Sequence, residues 1–454
     1  MLILSVLLIV SCKKEAFVSG IAGFSLSTDT LHFDTVFTTA GSVTQFFLIK
    51  NNSPNTLRIE DISLMGGNAS PFNMNVDGLP GNRFSRLDIE GNDSLYVFVS
   101  VNVNPDTEVL PFLIRDSIQI IANGKTVFQQ LEAWGQNARY IRNQLISSNT
   151  IWDNKLPYVI LGGLLVDTLA TLQIEPGTRI YLNADAPLII DGTLLAKGTK
   201  KDSIVFQGNR LDEPYRNFPG AWPGIIFRGS SQNNRLDHVY IKNAYQGLVL
   251  DRHEGNTPKV ILNNCVLENI YENGIVAINS RLKANNCLIS NCGNNLSLLY
   301  GGQYDFNHCT IASFSTRYIT HNKPVCYAAN FIRQNDRVFS APLQLNFVNS
   351  IVWGSEGVVE NEIVVEKKNN DPVQLDLDHV LFRGKSDPSD TRFTNVIRNQ
   401  DPVFDSTDVE NNFFDFRLRK ESPALNKGRA NVLPLDLDEK PRGAQPDLGC
   451  YERP

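Results

Sequence analysis

Six segments in the middle of the chain share one pattern of apolar and polar positions: RLDHVYIKN, VILNNCVLEN, KANNCLISN, DFNHCTIAS, NFVNSIVWG and DLDHVLFRG. One polar column reads His238, Asn264, Asn286, His308, Asn349 and His379. The next reads Val239, Cys265, Cys287, Cys309, Ser350 and Val380. Two positions beyond that lie Ile241, Leu267, Ile289, Ile311, Val352 and Phe382. Two before the polar column lie Leu236, Leu262, Ala284, Phe306, Phe347 and Leu377. Successive members of the polar column are 26, 22, 22, 41 and 30 residues apart. A period near 22 in β-rich sequence predicts a solenoid whose coils stack about 4.8 Å apart, like residue on like. Apolar columns then form a continuous core. An Asn turns the chain through the left-handed region and bonds the Asn of the next coil. The long spacings predict insertions, one from about Ser313 to Pro342 and one from Lys385 to Val403.

Residues 24–138 carry a different pattern of short alternating runs. Val43–Lys50 and Ser94–Val101 read as strands. Phe112–Ala122, Asn123-Gly124 and Thr126–Trp134 read as a hairpin with its turn. About seven strands in about 110 residues fit an immunoglobulin-like sandwich, here without an inter-sheet disulfide. Residues 139–157, with Trp152, read as a linker. The solenoid is expected over 158–399 and a terminal capping segment over 400–454.

Leu2–Val10 is an apolar run broken by Ser5, too short to span a bilayer and the length of a signal-peptide core. Seven cysteines less Cys12 leave six. Cys265, Cys287 and Cys309 fall in an inward column, where parallel in-register Cβ atoms sit slightly too far apart for a bridge, so reduced buried thiols are expected. Any disulfide would involve Cys292, Cys326 or Cys450. The net charge is −6 with no long basic block, which argues against a protein built to hold nucleic acid.

Several stretches resemble known families. Ile9-Val10-Ser11-Cys12 resembles a bacterial lipobox, which implies a signal peptide over 1–11, lipidation of Cys12 and a tether over 12–23. No Lys or Arg precedes the apolar core, a departure that leaves the true start open. Lys13-Lys14-Glu15 resembles export signals of Bacteroidetes envelope lipoproteins, implying an outer-membrane, lipid-anchored protein, periplasmic or surface-exposed. FFLIKNNSPNTLRIEDISL and LEAWGQNA resemble sandwich domains grouped with spindle, flagellar and Hydin-type modules. The stretch LVDTLATLQIEPGTRIYLNADAPLIIDGTLLAKGTKKDSIVFQGN resembles the opening rungs of right-handed parallel β-helices of the pectin-lyase-like kind. The resulting fold class is all-β, a right-handed parallel β-helix preceded by an immunoglobulin-like sandwich. Ser422-Pro423-Ala424, Asn426, Gly428, Asp447, Gly449, Tyr451 and Glu452 resemble the end segment of secreted β-helix proteins, which implies a cap over the last open coil.

The chemistry is sparser. Many right-handed β-helices are polysaccharide lyases or hydrolases, but no stacked pair of acids beside a His or Arg stands out. His238, His308 and His379 share a register, yet the first two lie about three coils apart, on the order of 14 Å, too far for one metal. Asp376-x-Asp378 and Asp436-x-Asp438-Glu439 are too few for calcium without backbone help and read as solvated turn acids, so no cofactor is expected. Asp387, Asp390, Asp401 and Asp405 would support an enzyme if they converged with Arg392 or His379. Tyr240, Val266, Leu288, Thr310, Ile351 and Leu381 form an outward, mostly apolar stripe. It is either covered by the 313–342 insertion or the sandwich, or offered to a glycan or protein. Trp222, Tyr245, Tyr271 and Trp353 could stack on sugars but are dispersed. The expected function is a non-catalytic envelope lipoprotein that binds a polysaccharide or protein partner along the solenoid. A lyase or hydrolase using the insertion loops and a structural spacer are the alternatives.

Overall fold

The computed structural model describes residues 23–38, 43–103, 111–355, 357–430 and 432–453. Cys12 and its lipobox lie outside them. The chain divides into two units, one ending at Asn137 and one beginning at Ala138.

The first unit holds two five-stranded sheets. One runs Phe24–Leu26, Gln45–Asn51, Ser94–Val101, Phe72–Val76, Leu79–Pro80; the other runs Thr30–Phe37, Lys125–Gln136, Phe112–Ala122, Leu57–Leu64, Arg83–Ile89. Period-2 alternation builds the core: Val97, Val99 and Val101 are fully buried while Tyr96 points outward. The closing hairpin turns on Asn123 and Gly124 at φ 49° and 71°, left-handed at both positions as a two-residue turn requires. There are more strands than the seven expected because brief edge pieces such as Leu79–Pro80 carry too few residues to show a pattern.

The second unit is built on a 24-stranded sheet from Arg139 to Arg398 in which strands pair in parallel with the strand one coil later. Asn234–Asp237, Val239–Lys242 and Gln246–Leu250 make one coil, and they pair with Val260–Asn263, Val266–Glu268 and the start of Asn273–Asn285. The expected columns are the core. Leu236, Leu262, Ala284, Phe306, Phe347 and Leu377 are each 0% exposed, as are Cys265, Cys287 and Cys309. Between these inward columns lies a corner. His238, Asn264, Asn286, His308, Asn349 and His379 all sit there at φ between 48° and 56°, and Asn395 extends the column by a coil. The left-handed corner is why apolar positions fall at −2 and +1 of the polar column rather than alternating through it. Asn264 Nδ2 donates to His238 Nε2 at 3.0 Å, Asn349 to His308 at 2.8 Å and Asn395 to His379 at 3.0 Å. Histidine here continues an asparagine ladder.

Three boundaries differ from expectation. Residues 139–157 are no linker: Arg139–Ile146 pairs with Tyr158–Val166 and Thr150–Trp152 with Leu172–Ile174, so they form the first coil. Trp152 stacks on Tyr158 with centroids 4.2 Å apart. A terminal coil has one neighbour instead of two, and its strands can stay polar on one side. The 313–342 segment is not one insertion. Cys326–Ala329 is a solenoid strand between Leu296–Leu298 and Ile363–Glu366, and Phe331–Gln334 with Arg337–Ser340 forms a small hairpin beside it. Thr391–Thr394 and Ile397–Arg398, inside the second supposed insertion, pair in register with Val373–Phe382.

The terminal segment also departs from expectation. It packs lengthwise on the solenoid flank, over the outward stripe. Val266 is 2% exposed, Leu288 6%, Thr310 1%, Ile351 1% and Leu381 0%, and Tyr240 is half-buried. Phe404, Phe416, Leu418, Ala424, Leu437, Leu448 and Cys450 cover them. The stripe is therefore interior surface, and neither the 313–342 segment nor a partner is needed to explain it. Polar contacts set the alignment. Asn286 Nδ2 donates to Leu435 O at 2.8 Å, and Asn349 exchanges bonds with the Arg429 backbone at 2.7 and 2.8 Å. Arg442 reaches Asn286 Oδ1 and Glu452, both at 3.0 Å. The corner ladder thus serves the terminal segment as a row of docking points.

All six described cysteines are free and buried. The Cys265, Cys287 and Cys309 thiols donate to the backbone carbonyls of Asn263, Asn285 and Asn307 at 3.3–3.5 Å. Burial pushes Cys292, Cys326 and Cys450 up to about 12. Protonated, buried thiols are poor nucleophiles. Residues 20–454 should therefore show no reaction with Ellman's reagent when native and six equivalents in guanidinium chloride. Rapid native labelling of any of them would contradict this packing.

Candidate functional site

The acids weighed from sequence do not converge. Asp387 pairs with Arg398, and Asp390 with Lys367 at 3.4 Å. Asp405 pairs with Arg419 at 3.6 Å, and Asp401 bonds the Val403 amide at 2.7 Å. Arg392 is taken by Asp376 at 2.7 Å, and His379 by Asp378 at 2.6 Å. Asp436 is not a solvated turn acid: it is 0% exposed and receives the amides of Lys440 and Glu452, each at 2.7 Å. Asp438 bridges Lys200 and Arg417. Among the described residues no group of three or more His, Cys, Asp or Glu side chains could hold a metal ion. Burial pushes the imidazoles of His238 and His308 down, His308 to about 3, in keeping with neutral rings that accept from Asn.

A second polar corner builds a more open site. Asn243, Asn269 and Asn291 stack at φ 52–62°, where one solenoid face ends. Their amides hold the loops that wall the corner. Asn243 Nδ2 donates to Arg216 O at 2.6 Å and Asn269 Nδ2 to Asn217 O at 2.8 Å, while Asn291 Oδ1 accepts from the Phe314 amide at 2.9 Å. Phe218 and Tyr318, one on each loop, meet edge to face at 5.0 Å. Just before the corner, Lys242, Glu268 and Ser290 are stacked in register. The opposite wall is Asn412, Phe413, Phe414 and Phe416 of the terminal segment. Together these line a cleft of about 240 Å³.

The cleft has a definite chemistry. Glu268 is its one carboxyl and Lys242 its one cation. Burial raises the Glu268 pKa, and Lys242 beside it pulls the other way. Asn269, which lines the cleft, has its Oδ1 buried with no partner among the described residues, an unused acceptor at the cleft wall. Phe413 is 60% exposed on the rim. Hydrolysis of a glycosidic bond by the usual route takes two carboxyl groups flanking the bond, and this lining offers one. What it offers is amides, hydroxyls, a carboxyl and an aromatic edge, which suits the hydroxyls and C–H faces of sugars.

Sequence pattern could not gather these groups. Asn243, Asn269 and Asn291 recur 26 and 22 residues apart, in step with the first polar column; Asn217, Thr316 and Phe413 come from irregular segments whose meeting depends on tertiary packing. Of the dispersed aromatics, Trp222 is 0% and Trp353 8% exposed, and both belong to cores. Tyr245 and Tyr271 stack at 5.5 Å and stay 45% and 53% exposed. A further buried cluster escaped notice altogether. Glu362, 0% exposed, bonds His321 Nε2 at 3.0 Å and Arg383 Nη2 at 2.6 Å. A Cβ on Gly354 would overlap both the Glu362 carboxylate and the His321 ring. This enclosed cluster ties neighbouring loops together.

No family model matches the chain, and no curated protein does. Similar solved structures include the catalytic unit of a GH87 alpha-1,3-glucanase from Streptomyces thermodiastaticus, at 10% identity over 78% of this chain and 86% of that one, with a TM-score of 0.25. A family 123 glycoside hydrolase from Clostridium perfringens is 12% identical over 27% of this chain and 26% of that one, with a TM-score of 0.19. The ASH/PapD-like domain of human CEP192 is 11% identical over 31% of this chain and 99% of that one, with a TM-score of 0.19. At such TM-scores none of them decides a fold or an activity for this chain.

Proposed function

We propose that this chain is a carbohydrate-binding envelope lipoprotein that holds a glycan segment in the cleft over Glu268 without cleaving it. The observation that carries this reading is the unpaired, buried Asn269 Oδ1 in an amide-rich cleft rimmed by exposed Phe413. A sugar hydroxyl would donate to that oxygen and a pyranose face would lie on the ring. The lipobox-like Ile9-Val10-Ser11-Cys12 supports anchoring to the outer membrane through acyl chains on Cys12. The net charge of −6 supports a partner other than nucleic acid. In this reading the two-sheet unit is an immunoglobulin-like sandwich, and the coils wind right-handed as parallel crossovers almost always do.

The test is retention of residues 20–454 on a panel of neutral and acidic polysaccharides with calcium, read together with new reducing or unsaturated ends. Retention without cleavage is expected. Phe413→Ala should weaken it by about three- to tenfold with an unchanged melting temperature, since the ring is mostly in solvent. New chain ends from any polymer would sink the non-catalytic reading and make Glu268 and Lys242 the first residues to replace.

A further inference from the structure

The two-sheet unit carries a feature that its role as a mere support does not explain. The outer side of the sheet containing Gln45–Asn51, Ser94–Val101 and Phe72–Val76 presents aromatic rings where polar residues are the norm. Phe46 is 52% and Tyr96 47% exposed. The Tyr96 and Phe98 rings are nearly parallel, 15° apart with centroids at 5.9 Å, and Phe46 lies tilted beside them, 5.5 Å from Tyr96 and 6.0 Å from Phe98. The strand register puts Phe46, Phe98, Asn75 and Pro80 in one row across the sheet. The aromatic shelf therefore runs straight into a hollow of about 470 Å³, lined by Thr44, Asn73, Asn75, Pro80, Phe98 and Ser100 among others. Asn75 Oδ1 is buried there with no hydrogen-bond partner among the described residues.

We propose that this shelf and hollow form a second saccharide site, selective for neutral glycans. The lining of the hollow has hydroxyls and carboxamides but no charged side chain, so it offers no counter-charge to a uronate or sulfate. An apolar aromatic shelf beside an unpaired carboxamide oxygen suits a pyranose, whose C–H face is apolar and whose edge donates through hydroxyls. Other occupants fit less well. Three part-exposed rings present roughly 300 Å², against about 800 Å² per partner in a stable protein interface. Strand addition at the nearby edge meets Pro80, which has no N–H to give and belongs to a strand of only two residues. The site stands on its own observations and does not require the solenoid cleft to bind anything.

The experiment uses residues 20–454 as wild type, Tyr96→Ala, Phe46→Ala, Phe413→Ala and the pairs combining Phe413→Ala with each. Probes are soluble neutral β-glucans, xylan and, as the acidic control, polygalacturonate. Loss of binding to at least one neutral probe by about tenfold in Tyr96→Ala, deepened in the Phe413→Ala background, is expected, with polygalacturonate unaffected. An effect of Tyr96→Ala without any effect of Phe413→Ala would uphold this site and discard the cleft. Tyr96→Ala and Phe46→Ala binding every neutral probe as their parents do would overturn it. So would a wild-type dimer that Tyr96→Ala dissolves, since the shelf would then belong to a second copy.

Discussion

Gly449→Ala should destabilise the solenoid unit by about 3 kcal/mol or more, lower its melting temperature by about 5 °C or more and raise binding of a hydrophobic dye. Two causes act together. Gly449 sits at φ 89°, where a side chain is strained, and a Cβ there would come within 2.6 Å of Thr310 Oγ1. That hydroxyl cannot simply swing away, because it receives the Cys450 amide at 3.1 Å. The added methyl therefore lifts the terminal segment where it lies closest to the stripe. The cost has a ceiling set by what the segment covers. Val266, Leu288, Ile351 and Leu381 lose water on docking, each worth about 1.5–3 kcal/mol, so the four approach the whole stability of a typical domain. Gly443→Ala is the control: it lies in the same segment, with Gln445 O at 3.9 Å the one neighbour of an added Cβ. It should melt within about 0.5 kcal/mol of wild type. Equal melting of the Gly449 and Gly443 variants would refute the packing described.

His308→Asn should make the protein markedly less sensitive to acid. The His308 ring is fully buried at the left-handed corner and accepts from Asn349, so its neutral form belongs to the folded state. Its pKa falls from the ordinary 6.5 to about 3, through burial first and Arg442 second. The unfolded chain thus binds a proton near pH 6.5 that the folded chain refuses until about pH 3. Stability from this group is complete above pH 6.5 and is lost progressively as pH falls towards 3. At pH 4.5 the loss is roughly 2–3 kcal/mol. Asparagine suits φ 50° and can accept from Asn349 through Oδ1, so the variant keeps the ladder and drops the titration. Denaturant midpoints measured at pH 7.5 and 4.5 decide the matter. The two proteins should be alike at the higher pH, with the variant the more stable at the lower. A parallel fall in both would show that carboxylates, not this ring, set the acid limit.

These two residues also show how far the sequence can be read. His308 stood in a column of six polar corner residues, and the column was visible because stacking puts like residues at like heights. Gly449 and Asp447 were visible as parts of a terminal motif. Asp447 accepts the amides of Asn426 and Arg453 at 2.7 and 2.8 Å, which explains that spacing. What the motif rests on was not visible, because nothing in a local pattern says which distant surface it meets. The stripe stands out in the sequence as a mostly apolar column, yet its cover comes from residues 404–450. The first coil was missed because Arg139–Ile146 buries only Ile141 and Ile146 and so shows no alternation. Cys326–Ala329 was missed because loops of unequal length on either side hide its period. The cleft was missed for the same reason as the stripe's cover: Glu268 gains its environment from residues about fifty before it and nearly one hundred and fifty after it.

The docking of the terminal segment has a consequence in time. Coils can zip onto one another as they emerge, since each pairs with its immediate predecessor over a short stretch of chain. The stripe cannot close that way. Cys450 meets Thr310 across 140 residues, Leu435 meets Asn286 across 149, and Asp438 meets Lys200 across 238. Such closures come late and slowly, because the chain between must already be ordered before they are rewarded. A nascent chain therefore passes through a stage in which every coil is wound but one flank is still greasy and adhesive. That stage ends only when residues 404–450 have docked. Exposed apolar surface makes aggregation most probable in that interval. Premature chain termination anywhere beyond the final coil would yield a wound but aggregating product rather than an unfolded one.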